Sequence, residues 1–141
     1  MERLQVAAVI GSLDEVVPFV DRLARAGGLP ASTAGRLRLA VEELFTNSIV
    51  HGYGESRGPW SRLVFESAVE TDWVWLRIID DAPPFDASRS CPRVDVAVPL
   101  AERVAGGLGL YLARRAVDRM TYEYTGGSNR LTLFVNRLEI P

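Results

Sequence analysis

Glu43, Asn47 and His51 stand four residues apart, and Leu37, Val41, Leu44 and Ser48 run beside them. That double stripe constrains the chain more than any other feature. Residues at i, i+4 and i+8 lie along one side of a helix, and the second stripe sits about a third of a turn away. One helix would therefore press an apolar flank on a core and turn a carboxylate, a carboxamide and an imidazole toward a cleft. A carboxylate one turn from an amide oxygen can position a water or hydroxyl beside a hard cation such as Mg²⁺. The same stretch also suits an amphipathic helix with a solvated polar face, so the rest of the chain has to decide.

At 141 residues the chain can build one core and not two. Its 16 basic and 18 acidic side chains leave a net charge of −2. It has no cationic excess with which to bind nucleic acid or an anionic membrane directly. Every basic residue is Arg, so a phosphate-binding lysine of the P-loop type cannot exist here. Cys91 is the only cysteine and His51 the only histidine. An internal disulfide, a cysteine zinc site and a His-based zinc motif are thereby excluded, and a Ser-His-Asp triad has a single candidate base. Met1-Glu2-Arg3-Leu4-Gln5-Val6 shows no signal-peptide pattern, and no window approaches a membrane span. The expected location is the cytoplasm.

The order of elements is legible from periodicity and punctuation. Leu4 to Ile10 is β-prone. Ser12-Leu13-Asp14-Glu15 has the form of a capping box, followed by Val16, Val20, Leu23 and Ala24 at helical spacing up to Gly27-Gly28. Pro30 and Ser32 open the helix that carries Glu43, Asn47 and His51, and Gly52, Gly54, Gly58 and Pro59 end it. Leu63, Phe65, Ser67 and Val69 alternate, as do Val74, Leu76 and Ile78 against Trp73, Trp75 and Arg77; Glu70-Thr71-Asp72 joins them as a hairpin. A Pro-punctuated stretch leads to Gly106-Gly107-Leu108-Gly109-Leu110, then a helix from Tyr111 to Arg119. Met120 to Thr125 and Arg130 to Asn136 form a last hairpin across Gly126-Gly127-Ser128-Asn129. The order predicts an α/β two-layer sandwich in one domain, with helices on one face of a mixed, mostly antiparallel sheet. Trp73 and Trp75 would cover one face of that sheet.

Two further segments bear on chemistry. Asp80 ends a hydrophobic strand before a Pro-rich turn; a carboxylate there can accept from an exocyclic amine such as adenine's, or simply cap the turn. The glycines at 106, 107 and 109 open a helix, where free backbone N–H groups and the positive end of the dipole suit a phosphate.

Taken in order, Glu43-Leu44-Phe45-Thr46-Asn47-Ser48-Ile49-Val50-His51-Gly52-Tyr53, Asp80-Asp81-Ala82-Pro83-Pro84-Phe85-Asp86 and Gly106-Gly107-Leu108-Gly109-Leu110 resemble the N, G1 and G2 boxes of the GHKL ATPases. These share the Bergerat fold with histidine kinases, MutL and type II topoisomerases. With Asn129-Arg130-Leu131-Thr132-Leu133 near the end, the resemblance spans nearly the whole chain and is strongest to the stand-alone anti-sigma-factor serine kinases of the RsbW-like group.

The resemblance implies ATP and Mg²⁺ as cofactors. It implies Glu43 as general base, Asn47 as the metal ligand and Asp80 as the partner of the adenine amine, supported by Thr132. Ala82 and Phe85 would border the nucleotide, and His51 would line its phosphate side. Gly106, Gly107, Leu108, Gly109 and Leu110 would present N–H groups to the phosphates, residues 86–105 would form a lid, and Arg103 or Arg114 would supply positive charge. Where the family usually has Gly, this chain has Ala82, whose methyl fits only if φ stays negative. The implied function is phosphorylation of a serine on a STAS-type anti-sigma-factor antagonist, with sequestration of a sigma factor or equivalent partner, in a homodimer. The alternative is a binding module that uses ATP only as a regulatory ligand, or not at all. A sensor histidine kinase fragment is disfavoured, because no dimerisation helix pair or phosphoacceptor domain is present.

Overall fold

The computed structural model describes residues 1–54, 57–88 and 107–138. Its elements run β1 (Glu2–Ala7), a 3₁₀ turn (Ile10–Ser12), α1 (Leu13–Ala26), α2 (Ala31–Asn47), a π-helical turn (Ser48–Tyr53), β2 (Arg62–Val69), β3 (Trp73–Asp80), α3 (Gly107–Ala116), β4 (Arg119–Thr125) and β5 (Ser128–Asn136). The strands form one sheet in the order β1-β2-β3-β5-β4. This is the expected α/β sandwich. Its sheet is more uniform than a mixed one, because all four described pairings are antiparallel.

Strand alternation decides which side chains meet the helices. Leu63, Phe65 and Ser67 of β2, Val74, Leu76 and Ile78 of β3, and Leu131, Leu133 and Val135 of β5 are buried together with Phe19, Val20 and Leu23 of α1 and Leu37, Val41, Leu44 and Phe45 of α2. Phe65 sits in the middle, its ring centroid 6.4 Å from Phe19 and 6.3 Å from Phe45. Each fully buried side chain of this size stabilises the fold by about 1.5–3 kcal/mol relative to exposure.

The opposite face carries the alternate residues. There Arg77 lies 5.0 Å from the Trp75 ring centroid and donates through Nε to Thr132 Oγ1 at 3.0 Å. Trp73 packs edge-on against Phe134. The two tryptophans do share one face, and it is the one away from the core.

Several local expectations are corrected. β1 stops at Ala7, and Ile10 belongs to the 3₁₀ turn. The capping box is not formed. Ser12 already has helical dihedrals as the 3₁₀ turn feeds α1, and its hydroxyl donates back to the Ala7 carbonyl at 2.8 Å. α3 starts at Gly107 and ends at Ala116, so the glycine-rich segment is its first turn and Arg119 opens β4. The last hairpin turns on two residues only, Gly126 and Gly127 (φ 61° and 80°). Two consecutive positive φ values match the twist of the flanking strands and suit glycine. Ser128 and Asn129 therefore belong to β5.

Candidate active site

Asp80 is the last residue of β3, and antiparallel register sets it opposite Asn129 at the start of β5. Asn129 is buried and organises the whole turn. Its Oδ1 accepts from the Phe85 N–H at 3.1 Å and the Tyr122 hydroxyl at 2.6 Å. The first of these fixes which end of the amide is oxygen, since a backbone N–H can only donate. Its Nδ2 lies 2.8 Å from Asp80 Oδ1, 3.0 Å from the Ala82 carbonyl and 3.2 Å from that of Pro83. One carboxamide thus ties the carboxylate to the turn that follows it.

Asp80 Oδ1 also accepts from the Ala82 N–H at 3.1 Å, and Ser48 hydrogen-bonds the same side chain. Burial raises the Asp80 carboxyl above its ordinary range; the bonds from Asn129, Ala82 and Ser48 oppose that rise, and neighbouring Asp81 adds to it. Desolvation prevails, so this carboxylate is costlier to charge than a surface one.

Around Asp80 lies a cavity of about 30 Å³ lined by residues that include Leu44, Asn47, Ser48, Gly52, Phe85 and Asn129. Asn47, the last residue of α2, thereby shares a cavity with Asp80. Glu43 stands one turn earlier, about 6 Å along the helix axis. Its carboxylate lies directly over Gly109, where any Cβ would overlap it. The first turn of α3, whose leading N–H groups have no intrahelical partner, therefore adjoins the Glu43 side of the cleft. Asp80 and Asn47 share this cavity, and Glu43, one turn before Asn47, meets Gly109 in the first turn of α3.

The remaining expected residues separate into those brought to the cleft and those left outside it. Phe85 lines the cavity, and Gly107, Leu108 and Leu110 lie in the first turn of α3; the Leu110 side chain is core. His51 does not join them. α2 gives way to the π turn at Ser48, whose i→i+5 bonding advances less per residue than an α-helix, so the four-residue stripe ends at Asn47. His51 is exposed, and Gly52 lines the cavity.

Thr132 is also displaced. It pairs with Arg77, three residues along β5 from Asn129, and so lies on the far face of the sheet, 4 % exposed and bonded to Arg77. Ala82 is buried beside Gly52, outside the lining of this cavity, and no non-glycine residue has positive φ among the described residues. The methyl is accommodated by the backbone. Arg114 lies in the last turn of α3, about 10 Å along the axis from Gly107. Gly106, Arg103, Cys91 and residues 89–105 of the expected lid lie outside the described residues.

Sequence reasoning missed Asn129, Ser48 and Tyr53. Counting back from Leu131, Leu133 and Val135 in steps of two reaches Asn129, so the alternation did carry its signal. Tyr53 closes the π turn onto the G1 segment: its hydroxyl oxygen lies 2.5 Å from Asp81 Oδ1 and 2.7 Å from the Arg62 carbonyl. Burial, with Asp81 next, pushes the phenol well above its ordinary range.

Residues 6–135 match the family described as the histidine kinase-like ATPase domain. The chain belongs to that family. Among curated proteins it is 28 % identical over 109 residues to the serine-protein kinase RsbW of Listeria monocytogenes, covering 74 % of this chain and 68 % of that one. Among solved structures it superposes with a TM-score of 0.59 on the RsbU and RsbW domains of Rv1364c from Mycobacterium tuberculosis, at 17 % identity. That alignment covers 96 % of this chain and 32 % of the other, so this chain spans about a third of its solved neighbour. Fold and family agree on an RsbW-like histidine kinase-like ATPase with the Bergerat architecture. No helix among the described residues is long and apolar enough to cross a membrane.

Proposed function

We propose that this histidine kinase-like ATPase binds Mg-ATP and transfers the γ-phosphoryl group to a serine hydroxyl of a STAS-type anti-sigma-factor antagonist. The observation that carries this reading is that Asp80 and Asn47 line one cavity while Glu43, one turn along α2, meets Gly109 at the start of α3. Asp80, with Oδ1 already engaged, offers its remaining acceptor capacity to the adenine amine. Glu43 accepts the proton from the attacking hydroxyl, and the first turn of α3 offers N–H groups to phosphate oxygens.

The residues present suit Mg²⁺. No cluster of three or more His, Cys, Asp or Glu among the described residues could hold a metal alone. The Asn47 oxygen would supply one ligand, with phosphates and water supplying the rest, a common arrangement for this ion. When bound, Mg²⁺ neutralises phosphate charge and orients the transferred group. Similarity to the serine-protein kinase RsbW of Listeria supports the transfer step; on the family resemblance the proposal extends to sequestration of a sigma factor or equivalent partner in the cytoplasm, by a homodimer.

The cavity beside Asp80 has room for about one water. An adenine ring is larger than this and would enter only as the cavity widens. That closed state favours a second reading, in which the chain is a protein-binding module without transferase activity.

Calorimetry with ATP, with and without Mg²⁺, followed by γ-labelled ATP and a STAS-type antagonist, separates the two. Mg²⁺-dependent binding that is lost in Asn47→Ala, with label on an antagonist serine, is the expected result. ATP binding without transfer, or no binding, would establish the second reading.

A further inference from the structure

On the other side of the Asp80–Pro83 turn lies a second, larger cavity of about 350 Å³. Tyr53, Trp60 and Tyr124 line it, together with Asp81 and Pro83. None of these residues has a place in the proposed transfer chemistry. The volume falls in the range of sites that bind small groups specifically.

Two of the three aromatic residues are unusually open. Trp60 is 76 % exposed and Tyr124 45 %. The Trp60 indole nevertheless rests against backbone that is itself hydrogen-bonded. A Cβ on Gly58 would stand 2.7 Å from Trp60 Cζ2, so the indole lies on the bare face of that glycine. The Gly58 N–H donates to Ser61 Oγ and the Ser61 N–H to the Gly58 carbonyl, both at 3.0 Å. Arg62 Nη1 donates to the carbonyls of Pro59 and Ser61, at 2.8 and 3.0 Å. These bonds hold the loop backbone and commit Arg62 Nη1 to backbone oxygens. Tyr53 is fixed by its bonds to Asp81 and to the Arg62 carbonyl.

Asp81 is exposed, and it forms no ion pair among the described residues. A carboxylate among aromatic residues defines one chemistry. Ring faces attract a cation, and a planar guanidinium can stack on a ring while its N–H groups reach a carboxylate. An ammonium is more strongly hydrated and presents no flat face, so it fits this lining less well. Pre-organised walls lower the cost of binding, and Trp and Tyr are the residues that most often anchor interfaces.

We propose that this cavity is a recognition pocket for an arginine side chain of a protein partner, with Asp81 as its counter-ion and Trp60 and Tyr124 as its stacking walls. The inference does not depend on nucleotide binding, so it stands or falls apart from the kinase reading.

The test uses the ¹⁵N-labelled full chain and N-acetyl-arginine methylamide as probe. The Trp60 indole N–H signal is assigned by its loss in Trp60→Phe. Saturable shifts of that signal are expected, with neighbouring shifts at Asp81 and Tyr124. Replacing the probe with its citrulline counterpart, a neutral isostere, should abolish saturation. Asp81→Asn, read at the Trp60 indole, and Trp60→Ala, read at the Asp81 and Tyr124 amides, should each raise the half-saturating concentration about fivefold or more. An equal response to arginine and citrulline would overturn the proposal using the unaltered protein alone. A lysine probe that saturates as tightly as arginine would overturn the guanidinium assignment. Shifts that persist unchanged in both variants would place the binding elsewhere and overturn the site.

Discussion

One turn, Asp80 to Pro83, separates two cavities of opposite character. On the Asp80 side, Asn129 clamps the turn from within, and about 30 Å³ remains. On the Asp81 side, about 350 Å³ stands open between exposed aromatic residues. The two carboxylates are adjacent in sequence, Asp80 half-buried and Asp81 exposed. Burial raises the Asp80 carboxyl, while Asp81 remains exposed. A strand end alternates its side chains between two environments, and here the alternation divides a closed, hydrogen-bonded pocket from an open, charged one.

Perturbing each side separately is the way to break this comparison. The largest effect is expected at Glu43. Glu43→Ala should lower phosphoryl transfer by about 10²–10⁴-fold, the usual contribution of a general base. ATP affinity measured by calorimetry should change little; an active variant would remove Glu43 from the base role. Asn129→Ala comes next, because it strips Asp80, Tyr122 and the turn carbonyls of a buried partner. A loss of about 3 kcal/mol in urea unfolding is expected, and a loss under about 1 kcal/mol would mean that the clamp is dispensable.

Asp80→Asn should weaken ATP binding by about 2 kcal/mol, as a charge-assisted bond to the adenine amine is replaced. The arginine-probe response at Trp60 should survive. Loss of both responses together would show that the turn is one site, not two. Asp81→Asn should do the reverse, with ATP affinity within about twofold of the parent, a surface-sized effect.

The smallest expected effect is on pH dependence. The folded state raises the Asp80 carboxyl, so it holds that proton to higher pH than the unfolded chain. The associated stability is present below the unfolded-state value and is lost as pH rises through the raised one. Acidification should therefore weaken ATP binding at a pH above the ordinary carboxylate range, as Asp80 protonates. Over the same window the parent should gain stability relative to Asp80→Asn. Parallel pH curves for the two proteins, in both binding and unfolding, would refute the assignment.

The legible and illegible parts of the molecule divide along similar lines. Leu63, Phe65 and Ser67, and Val74, Leu76 and Ile78, announce their buried face by alternation, and all six are buried. The α2 stripe of Leu37, Val41 and Leu44 was equally plain. Ser48, expected on that stripe, turned out half-buried and bonded to Asp80, which no helical period reveals. His51 stands on the π turn after α2, exposed and outside the Asp80 cavity. Thr132 rests on the family resemblance, whereas alternation from Leu131, Leu133 and Val135 sends it to the far face and Asn129 to the cleft side.

The amino-acid sequence alone determined the kind of protein: an α/β core, three segments that resemble the family's boxes in order, and a site built without lysine. Those properties are local, since period, composition and motif spacing reside in neighbouring residues. Only the tertiary structure decided which polar side chain faces Asp80, how little room remains beside it, and that a second pocket shares its wall. Each of these depends on cross-strand register and on where helices separated by tens of residues come to rest. Such pairings follow from the burial of the whole core.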